Sequence, residues 1–232
     1  MIKIEHTEVH GWEAAIRGMR NPMNSWERSD SFWEYTSDEE RELAEDGEHI
    51  YKSFFKDRYF VGDNDHDLMI RLANAGSVHA KYRRMITVTC DITAPLYWWK
   101  EFDTYKVGTV ANSCSTMHKI HAKELTLDDF SHEHLWGEPN EMDVDEPIGI
   151  MNIVIDALNV YRKDFLETKD KSFWKQMIQL LPTSYNQKRT VQLNYEVLVG
   201  MYRDRKNHKL DEWHTLCEWI EGLPYSEIIC QE

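Results

Sequence analysis

The alternation of hydrophobic and polar residues predicts two kinds of element in this chain. Met1 to Glu5 alternates apolar and polar side chains, and Met85 to Cys90 is rich in β-branched residues, so both segments are predicted to be strands. Apolar residues recur at helical spacing over three longer segments, Ile148 to Leu181, Thr190 to Lys206 and Asp211 to Glu221. The pattern favours an α+β fold in which helices predominate and the sheet is small.

Shorter helices are predicted where the apolar spacing is bounded by proline or glycine. Pro95 suits the start of a helix because its missing N–H would have no partner there, and Gly76 suits a left-handed helix end. Trp98 and Trp99 are expected to lie in the core, as aromatic residues on a helix usually do. The predicted segments are Gly11 to Arg20, Ser37 to Phe60, Asp65 to Ala75 and Pro95 to Tyr105.

The long helical patterns are expected to stop at proline, glycine and acidic segments. The pattern that starts at Ile148 should break near Lys169-Asp170 and end at Leu181-Pro182. Gly222-Leu223-Pro224 should end the last helix. Leu127 to Pro147 is acidic and contains Gly-Glu-Pro-Asn, which predicts a loop or an insertion. The 232 residues are expected to form one domain that includes this acidic segment.

The net charge, the apolar runs and the cysteine spacing limit the kinds of partner and the cellular location that are expected. A net charge of −14 argues against a face that coats a nucleic acid polymer, although a local basic cluster can still bind a small phosphate ester. The chain has no run of about 18 apolar residues and no apolar signal core at its start, so a cytoplasmic protein without a membrane span is expected. The four cysteines are widely spaced, which predicts reduced thiols.

The segment from Val88 to Met117 carries the most informative order of residues. A β-branched strand leads into Ala94-Pro95, then an aromatic amphipathic segment, and then small polar residues from Thr109 to Thr116 that are predicted to form a loop. This order resembles the central segment of the flavin-dependent thymidylate synthases. In that family a strand, Ala-Pro and a helix precede the loop motif R-H-R-x-x-S-x-N-E-x-S-x-R. The resemblance implies an α+β fold in which helices pack on a small sheet.

Alignment without gaps gives the residues of this chain that correspond to the motif. In order, they are Thr104-Tyr105-Lys106 for the R-H-R triplet, Thr109, Ala111-Asn112, Cys114 and, for the last arginine, Thr116. The resemblance implies that Tyr105 and Lys106 contact the flavin. It implies that Thr109, Asn112 and Thr116 contact the nucleotide. Most of the arginines are replaced, and lysine is a point charge without the planar fork of arginine.

Cys114 has two interpretations. A thiolate at this position could attack C6 of a uracil ring, as happens in the unrelated folate-only thymidylate synthases. That reaction would need a thiol pKa lowered by nearby cations or a helix N-terminus. In the alternative interpretation, Cys114 is a small buried residue in a tight loop.

Two further patches extend the resemblance over most of the chain. His79 precedes the strand by about the distance of a family histidine that lies near the flavin. After Leu181-Pro182, Asn194 and Arg205 keep the register of a family asparagine and arginine. They are eleven residues apart, so on one helix they would face the same side, with Asn194 near the flavin and Arg205 on a nucleotide phosphate. Glu196 stands where the family often has arginine, and it would repel a phosphate.

The resemblance implies a homotetramer, because family sites are assembled from several subunits. It implies FAD as cofactor, a dUMP-like pyrimidine nucleotide as substrate, and NADPH and methylenetetrahydrofolate as co-substrates. The first functional hypothesis is therefore a divergent thymidylate synthase, a flavoprotein methyltransferase of nucleotide biosynthesis that alters C5 of the pyrimidine. A second is a different enzyme on the same scaffold, since fold does not fix function. A third is a non-catalytic nucleotide-binding or structural homologue.

Overall fold

The computed structural model describes residues 2–35, 56–139 and 141–231. Its contacts define two compact units, each built from separated segments of the chain. The first unit contains Met1–Thr7, Thr89–Gln192 and Arg205–Trp219, and the second contains Glu8–Val88, Leu193–Asp204 and Ile220–Glu232. The organisation of the chain as one domain stays a prediction.

Six strands and eight helices are present in the described residues. The strands are β1 Lys3–His10, β2 Phe32–Tyr35, β3 Lys56–Phe60, β4 Thr87–Pro95, β5 Val110–Ser113 and β6 Asn186–Asn194. The helices are α1 Trp12–Arg20, α2 Asp63–Asn74, α3 Leu96–Phe102, α4 Thr116–Lys119, α5 Pro147–Thr168, α6 Lys171–Leu180, α7 Tyr195–Arg205 and α8 Asp211–Glu221. No helix in these ranges is long and apolar enough to cross a membrane.

A four-stranded sheet of order β1-β4-β6-β5 forms the centre of the first unit. Burial alternates along β4, where Cys90, Ile92 and Ala94 are buried while Asp91 and Thr93 are only partly covered. This alternation gives the sheet a covered face and an open face. Only the covered face is apolar.

The helix α3 lies on the covered face. The indole Nε1 of Trp99 donates a hydrogen bond to the backbone oxygen of Gln187, at 2.9 Å. The guanidinium of Arg189 lies 4.2 Å from the centre of the Trp99 ring. Trp98 and Trp99 are 0% and 1% exposed, so the prediction that they belong to the core is confirmed.

A second apolar core in the first unit lies between α5 and α6. Ile155 and Leu158 of α5 pack with Met177 of α6 and with Phe130. Lys169 adopts a left-handed conformation, with φ of 59°, between the two helices. The predicted break at Lys169-Asp170 is confirmed, and the side chain of Asp170 caps α6 by accepting a hydrogen bond from the backbone N–H of Ser172.

The second unit is organised around a buried carboxylate. Asp65 of α2 is fully buried and accepts a hydrogen bond from the Nε of Arg20 at 2.5 Å. The hydroxyls of Ser29 and Ser31 also donate to Asp65, at 2.6 and 2.7 Å. These bonds join α1, α2 and the segment that leads into β2, which pairs with β3 in an antiparallel hairpin.

Several element predictions agree with the structure. α8 has the predicted bounds, α1 and α2 cover their predicted segments, and Gly76 is left-handed just after α2. In the described residues of the acidic segment 127–147 there is a short 3-10 turn and one isolated bridge, between Phe130 and Tyr185, before α5 begins at Pro147. At these positions the spacing of apolar residues and the proline or glycine residues that end helices were sufficient to predict the bounds of the elements.

Three predictions are corrected. Thr190 to Asn194 belongs to β6 rather than to a helix, because Val191 and Leu193 alternate into the core and the helix begins only at Tyr195. The predicted loop from Thr109 to Thr116 contains β5, which pairs with β6. Residues 56–60 of the predicted helix from Ser37 to Phe60 form β3, and its remaining residues lie outside the described ranges.

Candidate functional site

The open face of the sheet brings Asn112 and Cys114 beside β6. Strands β5 and β6 are antiparallel, with Asn112 opposite Thr190. The backbone N–H of Cys114 donates to the oxygen of Lys188, at 2.9 Å. Residues directly opposite in an antiparallel pair share a face, and every second residue returns to it. Asn112, Cys114, Lys188 and Thr190 therefore lie on one side of the sheet.

Charged groups continue across this face onto β4 and β1. The hydroxyl of Thr190 donates to Asp91 at 2.6 Å, and the ammonium of Lys188 lies 2.9 Å from Asp91 and 3.9 Å from Glu5. The hydrogen bonds from Thr190 and Lys188 lower the pKa of Asp91. The hydrogen bond to Asp91 raises the pKa of Lys188, and the nearby negative charges, including that of a Cys114 thiolate, add to the increase. Lys188 is therefore a stable cation close to the thiol.

A cavity of about 340 Å³ opens beside Cys114. Its walls carry hydroxyl groups, three lysines and two aspartates: Ser115, Thr116, Lys119, Lys123, Lys188, Asp128 and Asp129. Lys123 is paired with Asp129, whereas Lys119 is exposed. Cys114 itself is exposed, so the interpretation of it as a small buried residue is wrong. The cavity combines a thiol, hydrogen-bonding groups and positive charge in a chain that is strongly acidic overall.

A second group of polar residues joins Arg205 to the region around α3. The Nη1 of Arg205 lies 2.8 Å from a carboxylate oxygen of Glu101, and its Nε donates to the hydroxyl of Tyr105 at 2.9 Å. The same Glu101 oxygen accepts a hydrogen bond from the Nε1 of Trp213, at 3.0 Å. The guanidinium lies 4.5 Å from the Trp213 ring centre, within cation–π distance. Two of the predicted site residues, Tyr105 and Arg205, are thus in direct contact.

These contacts predict that the Arg205 side chain stabilises the folded protein. Arg205→Ala is expected to lower the free energy of unfolding by about 1–3 kcal/mol, because Glu101 and Tyr105 lose a charged donor. Arg203→Ala is the matched control: this side chain is 72% exposed, and a change within about 0.5 kcal/mol is expected. Urea denaturation measures both. Equal stability of the two variants would contradict a structural role for the Glu101 pair.

The remaining motif residues of the first unit differ in their exposure. Lys106 is exposed, and Thr116 is half-buried at the wall of the cavity. Thr109 is half-buried, and its hydroxyl has no hydrogen-bond partner among the described residues. Cys114 lies on the open face of the sheet, whereas Arg205 contacts the end of the helix that covers the other face. Within one copy of the chain, the first unit therefore does not bring the Cys114 thiol and the Arg205 guanidinium together.

The two predicted residues of the second unit have different surroundings. His79 is exposed at the start of the 3-10 helix Ala80–Met85. Asn194 ends β6, and its side-chain oxygen accepts a hydrogen bond from the backbone N–H of Val197, at 3.1 Å. Asn194 thus caps α7, so the prediction that it shares a helical face with Arg205 is wrong. Glu196 lies 3.7 Å from Arg83, a buried guanidinium that compensates its charge.

Sequence reasoning missed the lysines of the cavity and the carboxylate that holds Arg205. Glu101 and Tyr105 are four residues apart, a spacing that often brings side chains together at a helix end, and this signal was available. Lys188 alternates with Thr190 on β6, but its position beside Cys114 depends on the pairing of β5 with β6. No local pattern links Lys119 and Lys123 to Lys188.

The fold is similar to those of solved pyrimidine-nucleotide enzymes. Thymidylate synthase X (ThyX) from Helicobacter pylori with FAD and dUMP has a TM-score of 0.65 at 15% identity, covering 100% of this chain and 98% of that chain. A second structure of that flavin-dependent enzyme with FAD and dUMP gives 0.65 at 17%, covering 99% and 100%. The UMP/dUMP methylase PolB from Streptomyces cacaoi bound with 5-Br dUMP gives 0.55 at 11%, covering 98% and 94%.

At these identities the similarity establishes the fold alone. The predicted α+β fold of the flavin-dependent thymidylate synthase type is confirmed, with helices packed on a small sheet. No family model matches the chain, and no curated protein matches it in sequence.

Proposed function

We propose that this chain binds a dUMP-like pyrimidine nucleotide and alters C5 of its ring, as a divergent protein of the flavin-dependent thymidylate synthase type. The observation that carries the proposal is the exposed Cys114 thiol in a cavity lined by Lys119, Lys123 and Lys188. This cavity lies on a fold whose solved examples were crystallised with dUMP or 5-Br dUMP.

The cavity suits a nucleotide monophosphate in size and charge. Its volume of about 340 Å³ falls in the range of small-molecule sites, roughly 300–1,000 Å³. Lysine ammonium groups attract a phosphate as point charges, and the three lysines outnumber the two aspartates of the lining. The hydroxyls of Ser115 and Thr116 offer hydrogen bonds to a pyrimidine ring or a sugar, and the proposed substrate residue Asn112 lies on the same face of the sheet outside the cavity lining. Thr109 stays a predicted substrate contact, since it lies outside the lining of this cavity and its hydroxyl is buried.

Cys114 is the proposed nucleophile. Its thiolate adds to C6 of the ring, the C5=C6 electron pair moves toward C5 and O4, and C5 then takes a proton or a one-carbon unit. Loss of the original C5 hydrogen and expulsion of the thiolate restore the ring. Exchange of the C5 hydrogen with water by this route balances without an oxidant or a reductant. Lys188, which is opposite Cys114 on the paired strand, supplies positive charge to the same cavity.

The residues proposed for FAD fit the cofactor only in part. In the first unit Lys106 is exposed, but the hydroxyl of Tyr105 already accepts a hydrogen bond from Arg205. In the second unit His79 is exposed, but the side-chain oxygen of Asn194 already accepts a hydrogen bond from the backbone N–H of Val197. We therefore propose that FAD binds more weakly than in the solved family members. When bound, reduced flavin supplies hydride, and methylenetetrahydrofolate supplies the carbon unit. NADPH would reduce the flavin.

Assembly and location are also proposals. A homotetramer that shares its sites would place the Cys114 cavity of one subunit near the Arg205 group of another, which would give that arginine a nucleotide phosphate to bind. A cytoplasmic location agrees with the four widely spaced free thiols. The alternative function is a non-catalytic nucleotide-binding or structural homologue, and the internal hydrogen bonds of Tyr105 and Asn194 favour it. A different enzyme on the same scaffold is the third candidate.

Calorimetry with dUMP and UMP tests the nucleotide site. Lys119→Ala is expected to weaken dUMP binding roughly tenfold, the effect of losing about 1.4 kcal/mol of a charge-assisted contact. Lys175→Ala, an exposed lysine of α6 outside the cavity, serves as the matched control and should bind as the wild type does. Equal affinity of the two variants would remove the cavity from the nucleotide site. Absence of any dUMP binding by the wild type would refute the proposed function.

A further inference from the structure

Gln187 is a buried polar residue on the covered face of the sheet. It is 9% exposed and lies on β6, on the same side of the strand as the buried Val191 and Leu193. A buried amide raises the free energy of the folded state unless its oxygen and its NH₂ group have hydrogen-bond partners. The partners of the Gln187 amide therefore indicate what this residue does in the protein.

The Gln187 amide joins the side chain of Arg189 to the backbone of Cys114. Its Oε1 accepts a hydrogen bond from the Nε of Arg189 at 2.9 Å, and its Nε2 donates to the carbonyl oxygen of Cys114 at 2.8 Å. A guanidinium can only donate, so the amide oxygen must face Arg189 and the NH₂ group must face Cys114. Arg189 thereby fixes the orientation of the Gln187 amide.

Arg189 is in turn held by α3 and by the residue that follows it. The Nη1 of Arg189 donates to Asp103 at 2.8 Å, and the guanidinium lies over the ring of Trp99. The indole of Trp99 also donates to the backbone oxygen of Gln187. Contacts with α3 thus hold both the backbone of Gln187 and the arginine that orients its side chain.

Both polar groups of the Cys114 backbone are bonded to residues of β6. Its N–H donates to the backbone oxygen of Lys188, and its carbonyl oxygen accepts from Gln187. Cys114 directly follows β5, which ends at Ser113, so the Gln187 side chain takes the place that a strand partner has within the sheet. Hydrogen bonds on both sides of the Cys114 Cα atom restrict its φ and ψ, and these angles set the direction in which the thiol points.

We infer that Gln187 is a positioning residue for Cys114 and directs its thiol into the cavity from the opposite face of the sheet. The inference rests on the proposed function, in which this thiol adds to C6 of the pyrimidine. Addition requires the sulfur to lie close to C6, and a displacement of about 1 Å can slow such a step on the order of a hundred-fold. Gln187 affects the reaction through the backbone of Cys114.

Two substitutions separate the two hydrogen bonds of Gln187. Gln187→Glu keeps an acceptor for Arg189 but removes the donor to Cys114, whereas Gln187→Met removes both. Each variant is expected to lower kcat for tritium release from C5 of dUMP roughly a hundred-fold and to leave the dUMP dissociation constant within about twofold, since the cavity lysines are unchanged. Gln192→Met changes an exposed glutamine of the same strand and should behave as the wild type does.

Two outcomes of these assays would overturn the inference. If Gln187→Glu released tritium at the wild-type rate, the hydrogen bond to the Cys114 carbonyl would be unnecessary and the bond from Arg189 would suffice. If kcat, dUMP affinity and resistance to urea fell together, Gln187 would only stabilise the sheet and would have no separate effect on the thiol.

Carbon-13 NMR tests the position of Cys114 without any nucleotide. In protein labelled with ¹³C-cysteine, the carbonyl and Cβ resonances of Cys114 report its hydrogen bond and backbone angles, and Cys114→Ser identifies them. These resonances are expected to shift in Gln187→Glu and in Gln187→Met, while those of the buried Cys90 and Cys217 stay in place. Unchanged Cys114 resonances, or equal shifts at all three cysteines, would overturn the inference. A wild type that neither binds dUMP nor releases tritium would refute the proposed function alone, because the NMR result does not depend on catalysis.

Discussion

Asp65→Ala is expected to lower the free energy of unfolding by about 3–5 kcal/mol, the cost of leaving one partner of a buried ion pair uncompensated. Asp65 is 0% exposed and Arg20 is 5% exposed. Removal of the carboxylate leaves the guanidinium without its anion and leaves the hydroxyls of Ser29 and Ser31 without their acceptor. Urea or thermal unfolding measures the loss.

The control for this substitution lies on the same helix. Asp67 is exposed two residues further along α2, so Asp67→Ala should change stability by no more than about 0.5 kcal/mol. Similar losses of unfolding free energy for Asp65→Ala and Asp67→Ala would indicate that any substitution in α2 destabilises the helix. They would contradict the role of Asp65 as the centre of the second unit.

The pH dependence of the Asp65 contribution has a definite sign. Burial acts to raise the pKa of Asp65, but the hydrogen bonds from Ser29 and Ser31, together with Arg20, outweigh it and hold the pKa below its ordinary value. The folded-state pKa is thus lower than the unfolded one, about 3.9. The contribution is fully present above that value and is lost as the pH falls through the folded-state pKa. The wild type and Asp65→Ala should therefore converge in stability only in strong acid.

Cys114→Ser is expected to reduce tritium release from C5 of labelled dUMP by roughly a thousand-fold or more, as the loss of a nucleophile commonly does. Serine keeps the size of the side chain but does not ionise near neutral pH, so addition to C6 fails. Cys230→Ser, at a half-buried thiol, is the control and should keep the wild-type rate. Equal release by wild type and Cys114→Ser would exclude Cys114 as the nucleophile.

Two further measurements distinguish a catalytic protein from a non-catalytic nucleotide-binding homologue. Bound dUMP should protect the exposed Cys114 from a thiol reagent, whereas Cys90 should not react at all because burial raises its pKa to about 12. With FAD, NADPH and methylenetetrahydrofolate added, dTMP synthesis is expected to be slow or absent. Thr104, Lys106 and Thr116 replace arginines of the motif and stabilise a developing negative charge less well. Protection without tritium release would favour the non-catalytic alternative.

The sequence by itself determined those elements whose signals are local. The bounds of α8 and the break between α5 and α6 follow from apolar spacing and from stop residues, and these forces act within a few turns of the chain. The order of strand, Ala94-Pro95 and helix was likewise sufficient to indicate the fold, because it lies within one continuous segment. The candidate positions Asn112 and Cys114 came from the same segment.

The tertiary structure decided which residues of the β6 region form a strand and which side chains surround Arg205 and Cys114. Val191, Tyr195, Leu198 and Tyr202 fit a helical repeat, yet pairing with β5 and burial of alternate side chains make Thr190 to Asn194 a strand. The ion pair of Arg205 with Glu101 joins residues 104 positions apart, and Lys188 reaches Cys114 from 74 positions away. Such neighbours are fixed by hydrogen bonds between strands and by packing between helices, and these have no counterpart in a local pattern.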